Sequence, residues 1–479
     1  MTPDPKRWQA LAVLSVAYLM VVLDIAIVNV ALPTIQKDLH FSTENLQWIV
    51  SGYSLAFGGL LLLGGRAGDI LGRRSVFMVG LALFGAMSLL AGFSQSSGML
   101  IGVRVAQGAA GAILAPSVFS ITSVTFEEGA ERNKALGVLG AISGAGAAIG
   151  VILGGVLTQY LGWEWIFFVN VPIAFATLFL VPRVVKESRA DGLARHFDAQ
   201  GAVAVTGSLM LFVYALTRST QVGWGSLETI LCLIASAVLM LSFFVIESRS
   251  ESPLVPLRIF RRRTLTAANT IGFLLGTMVF GMFFLLSLYM QQVLGFTAIK
   301  TGVCYLAVAL TAVVASGIAQ GLVTRIGVKP ALIFGLAMVG GGLVYFTQIS
   351  ANGSYFGDLF AGFVILGIGL GFTFVPISIA ALAGVTGKDA GLASGVINTS
   401  QQIGGALGLA ILTTVSENHI TSALNSGTPA PQAMTSGYAL AFWVAAALAA
   451  VAIVATILLV KREEVDAAAE AVTAGVPAA

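Results

Sequence analysis

Asp24 is an acidic residue inside a long apolar stretch of this chain, where a charge is costly. A carboxyl group in a low-dielectric environment favours its protonated form, whereas a nearby guanidinium favours the ionised form. A contact that changes between two states could therefore load and release a proton. We predict that Asp24 is the principal proton carrier of this protein, and the alternative is a structural acid paired with Asn29 or Arg104.

Arg104 is the second ionisable residue inside an apolar stretch. At 1.5 Å per helical residue, Asp24 lies roughly 12 Å from the outer end of its stretch and Arg104 roughly 8 Å from the outer end of its own. The similar depths predict that the two side chains can meet.

A short charged loop, residues 65–74, joins two apolar stretches of a chain that is only 10% charged. Its glycines permit a reversal, and its acid can face the positive N-terminal end of a neighbouring helix. Its arginines can meet carboxylates such as Glu127 or Glu128, although they could also simply set membrane orientation. The residues that we single out in this loop are Gly65, Asp69, Gly72, Arg73 and Arg74.

The elements that position these residues must be membrane helices. The chain has 479 residues, 57% of them hydrophobic, and its mean hydropathy is +0.93. An apolar helix needs roughly 20 residues to cross a bilayer, and no stretch shows the alternation of a barrel strand. We therefore predict an all-α polytopic membrane protein with fourteen spans. The spans lie near 10–32, 45–65, 75–97, 99–124, 135–160, 164–182, 199–217, 228–246, 267–291, 301–324, 330–350, 358–386, 391–416 and 436–460.

The basic residues predict the orientation. Lys37, Arg218 and Lys300 are the Lys and Arg residues on one side of the fourteen-span arrangement, Arg104 is inside a span, and all others lie on the opposite side. Because basic loops stay in the cytoplasm, both termini are expected to be cytoplasmic, in a multi-pass protein of the cell (plasma) membrane. The net charge of +3 follows from this bias, so we expect no nucleic-acid partner.

Two internal echoes indicate a repeat. The 65–74 loop is echoed by 321–329, which lacks the acid, and the glycine-rich stretch 137–155 is echoed by 395–408. If spans 1–6 match spans 9–14, spans 7 and 8 form an inserted hairpin. Parallel repeats around a site at the membrane midplane are typical of transporters. The predicted domains are a six-helix bundle over 1–182, a linker with the hairpin over 183–266, a second six-helix bundle over 267–460 and a cytoplasmic tail over 461–479.

Four motifs occur in the order of a known family: 24–33, 65–74, 104–108 and 162–172. On these motifs the chain resembles the fourteen-span drug:proton antiporter branch of the major facilitator superfamily over essentially its whole length. The resemblance implies the major facilitator fold, proton coupling through Arg104 and a cytoplasmic gate clasp at 65–74. The family's Gly-Pro-x-x-Gly-Gly ending in span 5 is Gly150 to Gly155 here with Val151 in place of proline, which puts the expected bend in doubt.

Small residues in span 5 repeat at four-residue spacing, which places them on one helix face. Small residues let neighbouring helices approach closely, so packing is the expected role and active gating the alternative. The residues are Gly146, Gly150, Gly154 and Gly155.

A substrate cavity between the two halves requires apolar and aromatic walls with a few polar groups. The cavity candidates are Tyr53, Phe280, Phe283, Phe284, Tyr289, Gln291, Asn398, Gln401 and Gln402.

Glu164, between two tryptophans, is a further acidic candidate or an interfacial anchor.

The function predicted from these features is proton-coupled export of a small amphipathic or hydrophobic drug, antibiotic or metabolite by alternating access. No phosphate-binding loop or metal-ligand cluster occurs in the sequence, so we expect a non-enzyme without metal or cofactor, driven by the proton gradient and functional as a monomer in the bilayer. The alternatives are a proton-coupled uptake permease and, more remotely, a membrane-embedded sensor or enzyme.

Overall fold

A computed structural model of the chain describes residues 5–126, 130–189, 198–250, 253, 263–382 and 390–460. All regular secondary structure within these residues is helical. Helices satisfy every internal backbone hydrogen bond within one segment, as a lipid environment requires. The all-α prediction is confirmed; the predicted tail over 461–479 lies outside the described residues.

Sixteen α-helices and two π-helical turns, at Tyr289–Val293 and Tyr355–Leu359, make up the described structure. The α-helices are α1 (Arg7–Asp38), α2 (Thr43–Leu46), α3 (Trp48–Leu71), α4 (Arg73–Gly92), α5 (Ser97–Thr125), α6 (Ala130–Tyr160), α7 (Trp165–Phe168), α8 (Asn170–Val184), α9 (Ala199–Val222), α10 (Leu227–Arg249), α11 (Arg263–Leu288), α12 (Ala298–Ile326), α13 (Val328–Phe346), α14 (Phe360–Leu382), α15 (Ala390–Asn425) and α16 (Ala430–Leu459).

Twelve helical segments in the described part of the chain are long and apolar enough to cross a membrane. This is two fewer than the fourteen predicted spans. The two predicted spans that are not among the twelve correspond to α6 and α15, which are helices of 31 and 36 residues. α15 is rich in Ser, Thr, Asn and Gln, which lowers its hydropathy without preventing a helix, whereas the apolar segment described within α6, Ala148–Tyr160, is shorter than a span.

The chain divides into two compact units. Unit 1 comprises Met1–Phe41, Trp48–Met210 and Ser236–Leu254, and unit 2 comprises Ser42–Gln47, Leu211–Ala235 and Val255–Ala479. The predicted domain boundaries, which separate a hairpin over 183–266 from two bundles, stay a prediction.

The same pattern of helix pairing occurs in each unit. In unit 1, α1 packs on α6, α3 on α5, and α4 on α5 and α8. In unit 2, α11 packs on α15, α12 on α14, and α13 on α14 and α16. This correspondence is the one that the predicted repeat of spans 1–6 and 9–14 requires.

Glycines allow the paired helices to approach closely. A Cβ atom built on Gly108 of α5 would lie 2.3 Å from the Tyr53 carbonyl oxygen of α3. In unit 2, a Cβ on Gly276 of α11 would lie 2.1 Å from the Gln401 carbonyl oxygen of α15. A larger side chain at either position would push the helices apart, so these glycines set the helix spacing.

Candidate functional site: a buried carboxylate network in unit 1

Asp24 and Arg104 form an ion pair in the core of unit 1. Arg104 Nη1 lies 2.5 Å from Asp24 Oδ2, and the two residues are 0% and 1% exposed. They belong to α1 and α5, so the contact joins two different helices of the unit. The structure therefore brings together the two residues that the sequence places at similar depth.

Two amides complete the coordination of the carboxylate. Gln107 Nε2 and Asn170 Nδ2 each donate to Asp24 Oδ1 at 2.9 Å. The same two nitrogens lie 2.8 and 3.3 Å from Ser88 Oγ. Asp24 thus accepts hydrogen bonds from three side chains, and Ser88 of α4 links the two amides.

Arg104 is also held by groups that carry no charge. Its Nε donates to the Ile49 carbonyl at 3.0 Å and its Nη1 to Gln107 Oε1 at 2.7 Å. Its guanidinium carbon lies 4.3 Å from the centre of the Tyr53 ring and 5.7 Å from that of Phe167. An arginine over an aromatic face gains a cation–π attraction, which is larger when the pair is desolvated. Arg104 would therefore keep several partners if Asp24 became neutral.

The network is closed to solvent, so a change of charge within it has a large effect. Ser88, Gln107 and Asn170 are each at most 1% exposed. Buried charges must be paired and hydrogen-bonded, because an uncompensated one costs several kcal/mol. Protonation of Asp24 removes the ion pair and leaves a cation held by a carbonyl, an amide and two rings.

Sequence reasoning missed part of this network. Gln107 and Asn170 belong to the 104–108 and 162–172 motifs but were given no role, and Ser88 was not singled out. Asn29, the alternative partner of Asp24, instead donates to the Ile25 carbonyl at 3.2 Å. The sequence signal for these three residues is weak because polar amides and hydroxyls are common in transmembrane helices.

The segment 65–74, which the sequence predicts as a loop, is helical except at Gly72, because α3 extends to Leu71 and α4 begins at Arg73. Gly72 has φ +117°, a conformation that favours glycine. Asp69 accepts from Arg73 Nη2 at 2.7 Å, four residues on. The predicted carboxylates Glu127 and Glu128 lie outside the described residues.

Glu187 is the carboxylate that sequence reasoning did not find at this loop. Its oxygens accept from the backbone N–H groups of Arg74 and Ser75 at 3.0 Å each, and the Ser75 hydroxyl also donates to it. Partial burial opposes ionisation of Glu187, but these hydrogen bonds outweigh it and lower the pKa of this carboxyl. An anion at the first turn of α4 satisfies free N–H groups and the helix dipole.

The glycine stripe of α6 packs on α1 beside the network. A Cβ on Gly150 would lie 2.8 Å from Ala26 Cβ, and one on Gly154 would lie 2.7 Å from the Ile27 carbonyl oxygen. Gly146 faces Val22 in the same way, and Gly155 is buried. α6 runs without interruption through Val151 from Ala130 to Tyr160. These contacts give the stripe a packing role next to Asp24, and its gating role stays a prediction.

The predicted cavity residues fall in both units. Tyr53 belongs to the network of unit 1, whereas Phe284 and Tyr289 are fully buried in unit 2. The Tyr289 hydroxyl donates to the Ser350 carbonyl at 2.7 Å. Glu164 is outside the network, half-buried at the start of α7. A common cavity for these residues stays a prediction. The remaining candidates of unit 2 are Phe280, Phe283, Gln291, Asn398, Gln401 and Gln402.

The chain matches a known protein family and is similar to individual proteins of that kind. A family model described as the Major Facilitator Superfamily matches residues 14–409. The chain is similar to the puromycin resistance protein pur8 of Streptomyces alboniger, with 37% identity over 96% of this chain and 93% of that protein. It is also similar to the cephamycin export protein CmcT of Amycolatopsis lactamdurans, with 37% identity over 88% of this chain and 86% of that protein.

A solved structure shows the same fold. The crystal structure of a bacterial homolog to the human lysosomal transporter Spinster, in an inward-facing and occupied conformation, superposes with a TM-score of 0.64. The superposition covers 95% of this chain and 97% of that chain at 15% sequence identity. At this identity the likeness concerns the fold alone.

Proposed function

The chain belongs to the Major Facilitator Superfamily, and from that premise we propose that it exports amphipathic or hydrophobic antibiotics and related drugs in exchange for protons. The membership confirms a multi-pass membrane transporter rather than an enzyme. The names of two relatives, a puromycin resistance protein and a cephamycin export protein, support antibiotics as the substrate class.

The observation that carries the proton coupling is the buried Asp24 network. Asp24 has no exposed side-chain surface and is ion-paired with Arg104. In the proposed cycle, a proton from outside neutralises Asp24 and weakens its contact with Arg104, which keeps its contacts with the Ile49 carbonyl, Gln107 and Tyr53. Loss of the proton to the cytoplasm restores the ion pair. Because α1 and α5 are joined by this contact, the charge state of Asp24 biases how they pack.

The substrate site is proposed to include polar and aromatic residues of α11 and α15. Neither Thr264–Val293 nor Ala390–Ser416 contains Asp, Glu, Lys or Arg. The Gln402 side-chain oxygen is buried without a hydrogen-bond partner in the described part of the chain. An apolar surface with a few amides suits neutral or weakly cationic amphipathic molecules.

The proposed topology has fourteen spans, with α9 and α10 as the inserted hairpin. The protein is proposed to lie in the plasma membrane with both termini in the cytoplasm. The lengths of α6 and α15, 31 and 36 residues, support their inclusion as spans, since roughly 20 residues suffice to cross a bilayer. We propose on this basis that the chain belongs to the fourteen-span drug:proton antiporter branch and works as a monomer without a cofactor.

The alternative is proton-coupled uptake, in which the substrate and the proton move across the membrane in the same direction. A buried acid and an alternating-access fold do not by themselves fix direction. Counterflow under an imposed pH gradient distinguishes the two, since an exporter accumulates drug in everted vesicles that are acidic inside.

The test is ΔpH-driven transport of puromycin and of a lipophilic cationic dye in everted vesicles. The wild type and Asp38→Asn are expected to accumulate the substrate, because Asp38 is an exposed acid at the end of the same helix. Asp24→Asn is expected to abolish accumulation against the gradient while leaving downhill exchange. Coupling that survives in Asp24→Asn would remove this residue from the proposed role.

A further inference from the structure

An apolar groove lies in unit 2 between α12, α13 and α14. Its volume is about 530 Å³. Its wall is formed by aliphatic and aromatic side chains with a single hydroxyl. The lining residues are Thr311, Val314, Ala315, Ile318, Leu322, Ile326, Phe334, Ile368 and Phe372.

One side of the groove is open, and its described lining residues offer no unpaired polar group. Val314 and Ile318 are 63% and 56% exposed. The hydroxyl of Thr311 is already used, since it donates to the Ala307 carbonyl at 2.6 Å. A wall of this kind favours a hydrocarbon chain over a polar ligand.

A cation stands at one end of the groove. Arg325 is exposed in the last turn of α12. It lies three residues after Leu322 and seven after Ile318, so it shares their helix face. Its distance from Thr311 along the helix is about 21 Å, which exceeds the roughly 15 Å depth of one leaflet. The groove is therefore long enough for an acyl chain whose headgroup reaches Arg325.

The 321–329 segment has no acid that corresponds to Asp69 of the 65–74 loop, so Arg325 has no acidic partner of that kind. In the 65–74 loop, Asp69 follows Gly65 by four residues and pairs with Arg73 at 2.7 Å. In the echo, Arg325 follows Gly321 by four residues, in the place of that acid. No hydrogen bond or ion pair joins the Arg325 side chain to another described residue. The second loop thus presents a positive charge beside an apolar groove.

We propose that this groove binds one anionic phospholipid, with an acyl chain along α12 and its phosphate on Arg325. The neighbouring Lys329 donates to the Ile457 carbonyl at 2.7 Å, which leaves Arg325 as the phosphate ligand. Under the topology proposed above, this end faces the cytoplasmic leaflet, whose anionic lipids attract basic residues at the membrane surface.

The test measures lipid retention directly and does not depend on transport. The full chain is placed in nanodiscs of phosphatidylcholine with a minority of phosphatidylglycerol of matched acyl chains, and bound lipid is counted by native mass spectrometry. Arg325→Gln is expected to weaken phosphatidylglycerol binding about fivefold, the effect of one surface arginine on an anionic lipid. Arg325→Lys is expected to retain most of the binding. The matched control is Arg263→Gln, an exposed arginine at the start of α11 that does not line the groove, and it should bind as the wild type does.

A second variant tests the acyl chain. Val314→Trp fills the groove at an exposed position and is expected to weaken phosphatidylglycerol binding with Arg325 intact, while the melting temperature verifies folding. Wild-type retention by Arg325→Gln, equal binding of phosphatidylcholine, or full competition by glycerophosphoglycerol without chains would each overturn the proposal. Occupation by a lipophilic dye with no phosphatidylglycerol retained would assign the groove to substrates and overturn it as well.

Discussion

A double-mutant cycle on Asp24 and Arg104 tests whether the buried network behaves as a single electrostatic unit. Arg104→Met removes contacts to Asp24, Gln107 and the Ile49 carbonyl and leaves a carboxylate buried. Asp24→Asn keeps the shape but leaves a buried cation. Each single change is expected to cost about 3–5 kcal/mol in the free energy of unfolding, because it strands an uncompensated charge.

The double variant Asp24→Asn/Arg104→Met is expected to cost about as much as one single change, or less, since no charge is then left unpaired. The assay is chemical unfolding of the purified protein in detergent, followed by far-ultraviolet circular dichroism. The matched control is Asp38→Asn, an exposed acid of the same helix, which should stay within about 0.5 kcal/mol of the wild type. Additive losses in the double variant would refute the reasoning, because they would mean that the two charges do not compensate each other.

Three further predictions concern the neighbourhood of the network and the 65–74 loop. Gly154→Leu is expected to destabilise unit 1 by about 1–3 kcal/mol through overpacking on α1, whereas Gly140→Leu, where a Cβ meets nothing within 4 Å, should be near neutral in thermal unfolding. Glu187→Ala is expected to cost about 0.5–2 kcal/mol through loss of the cap. Folding lowers the pKa of Glu187 below its ordinary 4.5. The stability that Glu187 adds to the wild type is therefore present above pH 4.5 and is lost as the pH falls through the lowered pKa. A difference in melting temperature between wild type and variant that persisted in stronger acid would contradict this. Tyr53→Phe removes a buried hydroxyl without a partner among the described residues and keeps the ring beside Arg104, so it should leave stability unchanged or raised by about 1 kcal/mol; a clear loss would show that the hydroxyl is bonded.

The ion pair could be predicted from sequence because charge within an apolar helix is rare and costly. Asp24 and Arg104 stand out against their surroundings, and helix rise alone places them at similar depth. Asn170 and Ser88 do not stand out in the same way, since an amide or hydroxyl in a membrane helix is an ordinary packing residue. Their place around Asp24 depends on how four helices meet, which no local pattern encodes.

The 65–74 loop shows the same limit. Its reversal at Gly72 and its internal pair Asp69–Arg73 are local and follow from spacing. Glu187 is 113 residues away from Arg74, in a connection without a motif, so the cap on α4 could not be found from the loop. The span count differs for another reason: the polar content of α15 reduces the hydropathy signal that defines a span, and the apolar segment described within α6, Ala148–Tyr160, is short.

The central claim is that Asp24 carries the transported proton, and substrate-induced proton release tests it most directly. Purified protein in weakly buffered detergent is mixed with puromycin, and a pH-sensitive dye reports released protons while equilibrium dialysis reports bound drug. The account predicts release from the wild type and Asp38→Asn, and none from Asp24→Asn at equal drug occupancy. Undiminished release from drug-bound Asp24→Asn would contradict the account, because the proton would then come from another group.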